Sequence, residues 1–226
     1  MPEPAAIAGP PSVADRRERL VEVYREARDC EKCPLAATRT KVVFGAGAAN
    51  ADLMFIGEAP GAEEDRQGLP FVGRAGQLLT ELLAGVGMRR DDVWICNILK
   101  CRPPGNRDPQ PPEIEACHPY LVSQVELIEP RVIATLGNFA TKLITGSRAG
   151  ITRVRGTPQV HDIAGRTVFV MPLLHPAAAL RTPSLVGTLG EDFGSLAALL
   201  GQEPPRSATP DAVAGEPEPD QLGLFG

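Results

Sequence analysis

The sequence predicts an α/β fold of three layers, with helices on both faces of a central four-stranded parallel sheet. Two observations predict it. Apolar runs of strand length alternate along the chain with stretches of helical periodicity. The strands themselves, at 53–57, 93–97, 132–136 and 167–171, are apolar throughout rather than alternating, as strands buried on both faces must be. A third observation sets the scale: 226 residues, 43% of them hydrophobic, suffice for one sizeable core.

Taken in order, residues 1–12 are rich in proline and alanine and are expected to be disordered. They carry neither the basic start nor the apolar stretch of a secretory leader. Ser12 is placed to cap a first helix, whose apolar side is Leu20, Val23, Tyr24 and Ala27 and which ends near Asp29. The first strand follows. A helix at 75–86 presents Leu78, Leu79, Leu82, Leu83 and Val86 on one side, with Gly85 and Gly87 to stop it. The second strand runs into a proline-laden loop from 102 to 111. Pro112 then falls in the first turn of a helix, where its missing N–H costs nothing. The third strand turns at Gly137 into a helix at 139–144. Short polar–apolar alternations at 152–166, around Gly156-Thr157-Pro158 and Ala164-Gly165, predict a small hairpin before the fourth strand. Leu189, Phe193, Leu196 and Leu200 mark a last helix, so the folded domain is expected to span 13–201. There is no internal repeat. Residues 202–226 form a tail, rich in Pro, Ala and Glu, that is expected to be disordered.

The formal net charge is -5, but the tail from 202 onward carries -4 of it, so the body is close to neutral. A near-neutral body can hold a phosphate backbone through a local basic patch. Lys100, Arg102 and Arg107, interrupted by Asp108, form one candidate, although a solvated loop has the same pattern. No stretch approaches the roughly 20 apolar residues a membrane helix needs. Four of the five cysteines form an irregular set: Cys30 and Cys33 are two residues apart, and Cys101 and Cys117 have fifteen residues between them. With a reducing compartment expected, thiolates so spaced read as metal ligands rather than disulfides. Zinc and a [4Fe–4S] cluster both fit, and spacing alone does not separate them. Cys96 lies inside the second strand and is expected in the core.

In a parallel sheet, ligands bind beyond the C-terminal ends of the strands. The residues ending the first, second and fourth strands are therefore the candidates: Gly57 with Glu58, Asn97, and His175. The segment after the first strand is long and glycine-rich, running Gly57-Glu58-Ala59-Pro60-Gly61, then through Glu64 and Asp65 to Gly68-Leu69-Pro70-Phe71-Val72-Gly73-Arg74-Ala75-Gly76. It lacks the spacing of a dinucleotide fingerprint, and no Gly-Lys-Ser/Thr follows to make a phosphate loop. Glu58 is the charged group nearest the strand end, where a carboxylate alone would serve equally as a loop or helix cap. Phe71 can stack on a base or pack its own loop. Asn97 presents an acceptor and donors on a rigid fork, which matches the N3–H and O4 edge of uracil. A lone histidine is more often a structural hydrogen-bonder. Facing Asn97 and Glu58 at a strand end, His175 reads as chemistry.

These segments, with Lys100-Cys101-Arg102-Pro103-Pro104, Gln77-Leu78-Leu79 and His175-Pro176 in the same order, resemble the family 4 uracil-DNA glycosylases, the iron–sulfur type. The resemblance covers about residues 14–200. It implies a uracil-DNA glycosylase-like fold and a base-excision-repair enzyme that hydrolyses the N-glycosidic bond of deoxyuridine, releasing uracil and leaving an abasic site. The target nucleotide would leave the stack at a cost of about a few kcal/mol. By resemblance, Glu58 would stabilise the sugar cation or position water, and His175 would donate to O2 of the departing base. Gly57, Phe71, Asn97 and Glu64 would hold the uracil, with Phe71 stacking, Asn97 reading the polar edge, and Glu64 and Asp65 limiting access at C5. Arg74, Lys100, Arg102, Arg107, Leu180 and Arg181 would meet the DNA. Related glycosylases place a bulkier apolar wedge where Ala179 stands, so Leu180 or Arg181 is expected to fill the gap left by the flipped base.

The same resemblance decides for a structural [4Fe–4S] cluster on Cys30, Cys33, Cys101 and Cys117. Separately, Gln221-Leu222-Gly223-Leu224-Phe225 resembles the short peptide by which bacterial DNA-repair and replication proteins dock on the polymerase sliding clamp. Gln221 would bond at the groove edge, and Leu222, Leu224 and Phe225 would fill the apolar pocket. The protein is expected in the bacterial cytoplasm at the nucleoid, as a monomer and away from membranes. The competing reading is a non-catalytic iron–sulfur module that binds nucleic acid, which would not need Glu58, Asn97 and His175 together.

Overall fold

The computed structural model describes residues 11–203. Expectations for residues 1–10, for the tail beyond 203 and for the motif at 221–225 lie outside the described residues.

Helix α1 (Val13–Arg28) starts where Ser12 was placed to cap it. Ser12 Oγ accepts from the Asp15 N–H at 3.2 Å, and the Asp15 carboxylate accepts from the Ser12 N–H at 2.9 Å, so two orphan donors are satisfied reciprocally. A two-residue strand β1 (Ala46–Gly47) precedes β2 (Leu53–Gly57). Helices α2 (Ala62–Gln67) and α3 (Arg74–Gly85) lead to β3 (Trp94–Asn97). After the proline-rich loop comes α4 (Pro111–Ile128), then β4 (Val132–Leu136) and α5 (Asn138–Thr145). The short α6 (Ile151–Val154) is followed by the expected hairpin, β5 (Gln159–Ile163) and β6 (Arg166–Leu173). Helices α7 (Pro176–Arg181) and α8 (Leu185–Leu200) close the domain.

The sheet order is β1-β3-β2-β4-β6-β5. Its centre is the four-stranded parallel arrangement expected from the sequence, β3-β2-β4-β6. Antiparallel edge strands extend it on both sides to six. Strand β1 is too short to leave a periodic signal. Strand β6 continues past Met171 through Pro172, where a sequence reading stops it. The Pro172 carbonyl still accepts from Gly156 N–H at 2.8 Å, and β5 pairs no further along β6 than Val170, so no ladder bond is lost to the missing donor.

Successive residues of β2 point to opposite faces. Met54 and Ile56 join Leu20, Leu121, Val125 and Ile144 from α1, α4 and α5. Leu53 and Phe55 join Leu79, Leu83, Leu189 and Phe193 from α3 and α8. Phe55 and Phe193 stack at 5.8 Å between centroids, and each contributes about 1.5–3 kcal/mol by leaving water. Cys96 is fully buried in the first of these layers, as expected. Among the described residues, no helix is long and apolar enough to cross a membrane.

Lys100 departs from expectation. Placed by its sequence neighbours at a DNA-facing surface, it is instead 1% exposed. Its Nζ donates to the Asn97 carbonyl at 2.7 Å and to Gln124 Oε1 at 2.6 Å, while Gln124 Nε2 donates to the Phe44 carbonyl at 2.9 Å. The chain beyond β3 continues alongside the end of β2: Ile98 N–H and Leu99 N–H donate to the carbonyls of Gly57 and Glu58. This carries Lys100 inward, where burial pushes its ammonium pKa down.

Candidate active site

The C-terminal ends of β2, β3, β4 and β6 open onto one cleft of about 850 Å³. It brings together Glu58, Glu64, Phe71, Asn97 and His175, which are up to 117 positions apart in the chain. The crevice lies where connections leave β2 and β4 in opposite directions across the sheet, the expected place for a ligand.

Gly57 and Asn97 are register partners in the parallel pair β2–β3. A Cβ at Gly57 would lie 2.3 Å from Asn97 Oδ1 and 2.8 Å from the Phe71 ring. Only a glycine there leaves room for both the amide and the ring. Asn97 is 2% exposed, and its Oδ1 has no hydrogen-bond partner among the described residues. A buried acceptor left unpaired costs about 1–3 kcal/mol, so this one marks a position where a ligand donor is wanted.

Phe71 is held with φ at +51°, the left-handed region that a bulky residue avoids. Its ring faces that of His175 at 5.6 Å, with an interplanar angle of 28°. His175 is the N-cap of α7, and its Nδ1 accepts from the Ala177 N–H at 3.1 Å. That bond leaves Nε2 as the protonated nitrogen and a donor toward the cleft. Burial, and secondarily the Arg181 guanidinium, lower the His175 pKa to about 4, so the ring is neutral at physiological pH. Glu58 is half-buried, and its pKa is raised, first by burial and then by the nearby Asp108 carboxylate. Its side chain makes no hydrogen bond among the described residues. Instead of capping a loop or helix, it faces the cleft.

Glu64 also lines the cleft, but its Oε1 accepts from the N–H groups of Val72 and Gly73, both at 2.9 Å. Asp65 is buried away from the cleft, accepting from the Thr40 N–H at 2.9 Å. Arg74 and Arg181 are exposed at the rim, with Leu180 half-buried beside them and Ala179 buried beneath. Arg107 lines the cleft too, yet both its terminal nitrogens donate to Glu113, which is 1% exposed at the start of α4. The half-buried Arg102 donates to Asn106 Oδ1 at 2.7 Å. The proline-rich loop thus uses much of its charge to hold its own shape. Sequence reasoning missed Gly137, Asn138 and Phe139, which line the cleft after β4. The strand-end rule, applied to the third strand as well, finds them.

The four cysteines sit outside the cleft. Cys101 and Cys117 are buried, Cys30 and Cys33 partly so, and all are free thiols packed on the same core layer. The Cys101 pKa is pushed up to about 12, chiefly by burial and then by the neighbouring Cys117. Arg39 spans the group: its Nη1 donates to the Cys30 carbonyl at 2.7 Å and approaches Cys101 Sγ at 3.8 Å. Among the described residues, no three or more His, Cys, Asp or Glu side chains are arranged to hold a metal ion.

The His175 environment has a measurable consequence. Its folded pKa of about 4 lies below the ordinary 6.5, so between those values the unfolded chain binds a proton that the native state does not. Native stability therefore falls as pH drops from 6.5 toward 4, and His175 adds no pH dependence above that window. Denaturant midpoints measured across it should fall less steeply for His175→Ala than for the parent chain.

Comparison with known proteins agrees with this architecture. The model of the uracil DNA glycosylase superfamily matches residues 44–195, a span containing every strand-end residue of the cleft. A type-4 uracil-DNA glycosylase of Archaeoglobus fulgidus is 46% identical over 192 residues, covering 83% of this chain and 96% of that protein. One from Sulfurisphaera tokodaii is 46% identical over 181 residues, covering 78% and 82%. A third, from Thermotoga maritima, is 48% identical over 170 residues, covering 74% and 87%. With a family model matching more than half of the chain and identity of this level over most of its length, the chain belongs to the uracil DNA glycosylase superfamily and, within it, to the type-4 enzymes.

Proposed function

We infer that this chain is a DNA-repair enzyme that excises uracil from DNA by hydrolysing its N-glycosidic bond. The observation that carries the assignment of the site is the buried, unpaired Oδ1 of Asn97 beside the Phe71 ring. Uracil offers N3–H to that acceptor and O4 to the amide donors. Cytosine presents an unprotonated N3 to the same oxygen, so the site disfavours it. The flipped base stacks on Phe71, and Gly57 lets it approach the sheet edge.

As the C1′–N1 bond breaks, its electron pair leaves with the base and positive charge develops on the sugar. A neutral His175 donating from Nε2 to O2 stabilises the departing anion without first having to lose a proton. Glu58, ionised, faces the cationic sugar and orients the water that adds to C1′; the proton that water gives up neutralises the departed uracil anion. Its raised pKa places the acid limb of the rate profile above 4.5, where the carboxylate protonates. Arg74 and Arg181 at the rim contact phosphates, and Leu180 fills the gap in the duplex. No feature of the cleft favours a binding module without catalysis.

The donor chemistry of Cys30, Cys33, Cys101 and Cys117 fits a [4Fe–4S] cluster: four free thiols on one core layer, with the Arg39 guanidinium aimed at one sulfur. When bound, the cluster ties the segment after α1 to the loop and helix after β3. Its ligands must lose their protons to bind, which a thiol held at about 12 does only against the metal charge. The reading implies a cytoplasmic enzyme. We further propose that Gln221, Leu222, Leu224 and Phe225 dock on the sliding clamp.

Three experiments test these readings. Incubation with a uracil-containing oligonucleotide followed by alkali should yield strand scission. Asn97→Asp and His175→Ala should each lower kcat/KM by about 100-fold or more; wild-type rates in either would remove it from the site. Protein purified without oxygen should carry about four iron atoms per chain and absorb visible light, both lost in Cys101→Ser. Parent protein purified in this way without iron or visible absorbance would reject the cluster, and a colourless Cys101→Ser chain with parental stability and activity would reject its structural role. Immobilised clamp should retain the full chain but not one ending at Gly201, and equal retention would reject the docking motif.

A further inference from the structure

Phe71 occupies a backbone conformation that nothing in its own side chain favours, so its neighbours must hold it there. The holding groups are identifiable. On the C-terminal side, Glu64 Oε1 accepts from both the Val72 and Gly73 N–H groups at 2.9 Å. On the N-terminal side, Arg90 Nη2 donates to the Pro70 carbonyl at 2.6 Å. The other terminal nitrogen, Nη1, reaches Thr80 Oγ1 at 3.3 Å and the Gly76 carbonyl at 3.5 Å, anchoring the guanidinium to α3. Beneath lies Gly76, where a Cβ would fall 1.8 Å from the Phe71 carbonyl oxygen. The peptide units on both sides of Phe71 are thus held by the side chains of Arg90 and Glu64, and the first turn of α3 supports it from below.

Arg90 does not line the cleft. It belongs to the short turn Arg90–Asp92 that feeds β3, the strand ending at Asn97. A half-buried guanidinium placed among three backbone and hydroxyl acceptors, with no carboxylate among the described residues bonded to it, is positioned for geometry rather than for charge pairing. We propose that Arg90, acting with Glu64, is a positioning residue that holds Phe71 in its left-handed conformation and so fixes the face on which the uracil stacks. The inference rests on Phe71 being the stacking platform. It also gives Glu64 a task beyond limiting access at C5: one of its oxygens is committed to the loop. Without Arg90, the Pro70 carbonyl is free to turn. Phe71 then relaxes toward ordinary φ and carries its ring away from Gly57 and His175.

The test compares two equilibria on the full-length protein. Free uracil is used as a competitive inhibitor of oligonucleotide cleavage, and an abasic-site oligonucleotide is used for direct binding. Arg90→Met should raise the uracil inhibition constant by about tenfold, the scale of a lost base–aromatic stack. Abasic DNA, which has no base to stack, should bind within about twofold of the parent. Phe71→Ala should weaken uracil as much, and adding Arg90→Met to it should produce no further loss, because the clamp then has nothing to hold. Arg90→Lys, which keeps one donor for Pro70, should recover part of the affinity. If Arg90→Met does not fold, Arg90→Gln is read in the same way. An unchanged uracil constant in Arg90→Met, or an equal loss of abasic-DNA binding, overturns the clamp. An unchanged constant in Phe71→Ala overturns the stacking reading on which the clamp rests.

Discussion

Nothing larger than hydrogen fits at Gly57. The parallel register sets Gly57 opposite Asn97, and the space a side chain would fill is taken by the Asn97 amide and the Phe71 ring. One absent methyl group therefore lets a strand-end amide and a loop aromatic both make contact with the same strand residue. The rest of the cleft is arranged around that contact. Phe71 meets His175, which starts α7 after β6, and Gly137 after β4 leaves room for the His175 side chain, a Cβ there falling 3.1 Å from His175 Cβ. All four parallel strands contribute, so the site forms only when the sheet is in register.

The charges follow the same logic of burial. Two groups that carry charge freely in water are shifted toward their neutral forms, His175 downward and Glu58 upward, each mainly by loss of solvent. The backbone N–H that bonds His175 Nδ1 also decides which nitrogen faces the cleft. Lys100 shows burial overriding sequence context. Flanked by candidate phosphate contacts, it is folded beneath Asn97 and bonds the carbonyl of that residue. Charge on the loop beyond is largely internal as well, since Arg107 pairs with Glu113 and Arg102 with Asn106. The exposed cations at the cleft are Arg74 and Arg181.

The central strands were legible because a strand covered on both faces must be apolar at every position, a pattern that survives without knowledge of its neighbours. Ser12, Gly137 and the proline-rich loop were legible for a similar reason: capping and turn chemistry act over a few residues. Strand β1, of two residues, and the single-turn α6 carry no period to read, and β6 runs through Pro172 to Leu173, beyond the apolar run at 167–171. Among site residues, Glu58, Asn97 and His175 followed from the rule that parallel sheets bind ligands at strand ends. Asn138 and Phe139 escaped only because the third strand end was passed over. Arg90 had no local signal at all: its partners, Pro70, Gly76 and Thr80, lie 10 to 20 positions away, and the contact depends on how α3 packs.

By itself, then, the sequence determined the layer order, the strand ends, the thiol set and the family to which these motifs belong. Each of these is written in residue type and short-range spacing, which the chain carries before it folds. Only the tertiary structure decided which strand ends converge, that Lys100 and much of the loop charge turn inward, that Asn97 Oδ1 is left without a partner among the described residues, and that Phe71 sits at positive φ with contacts on both sides. Those are consequences of burial and of distance through space. A residue's type sets what it can bond, but desolvation and the neighbours brought in by folding set what it does bond.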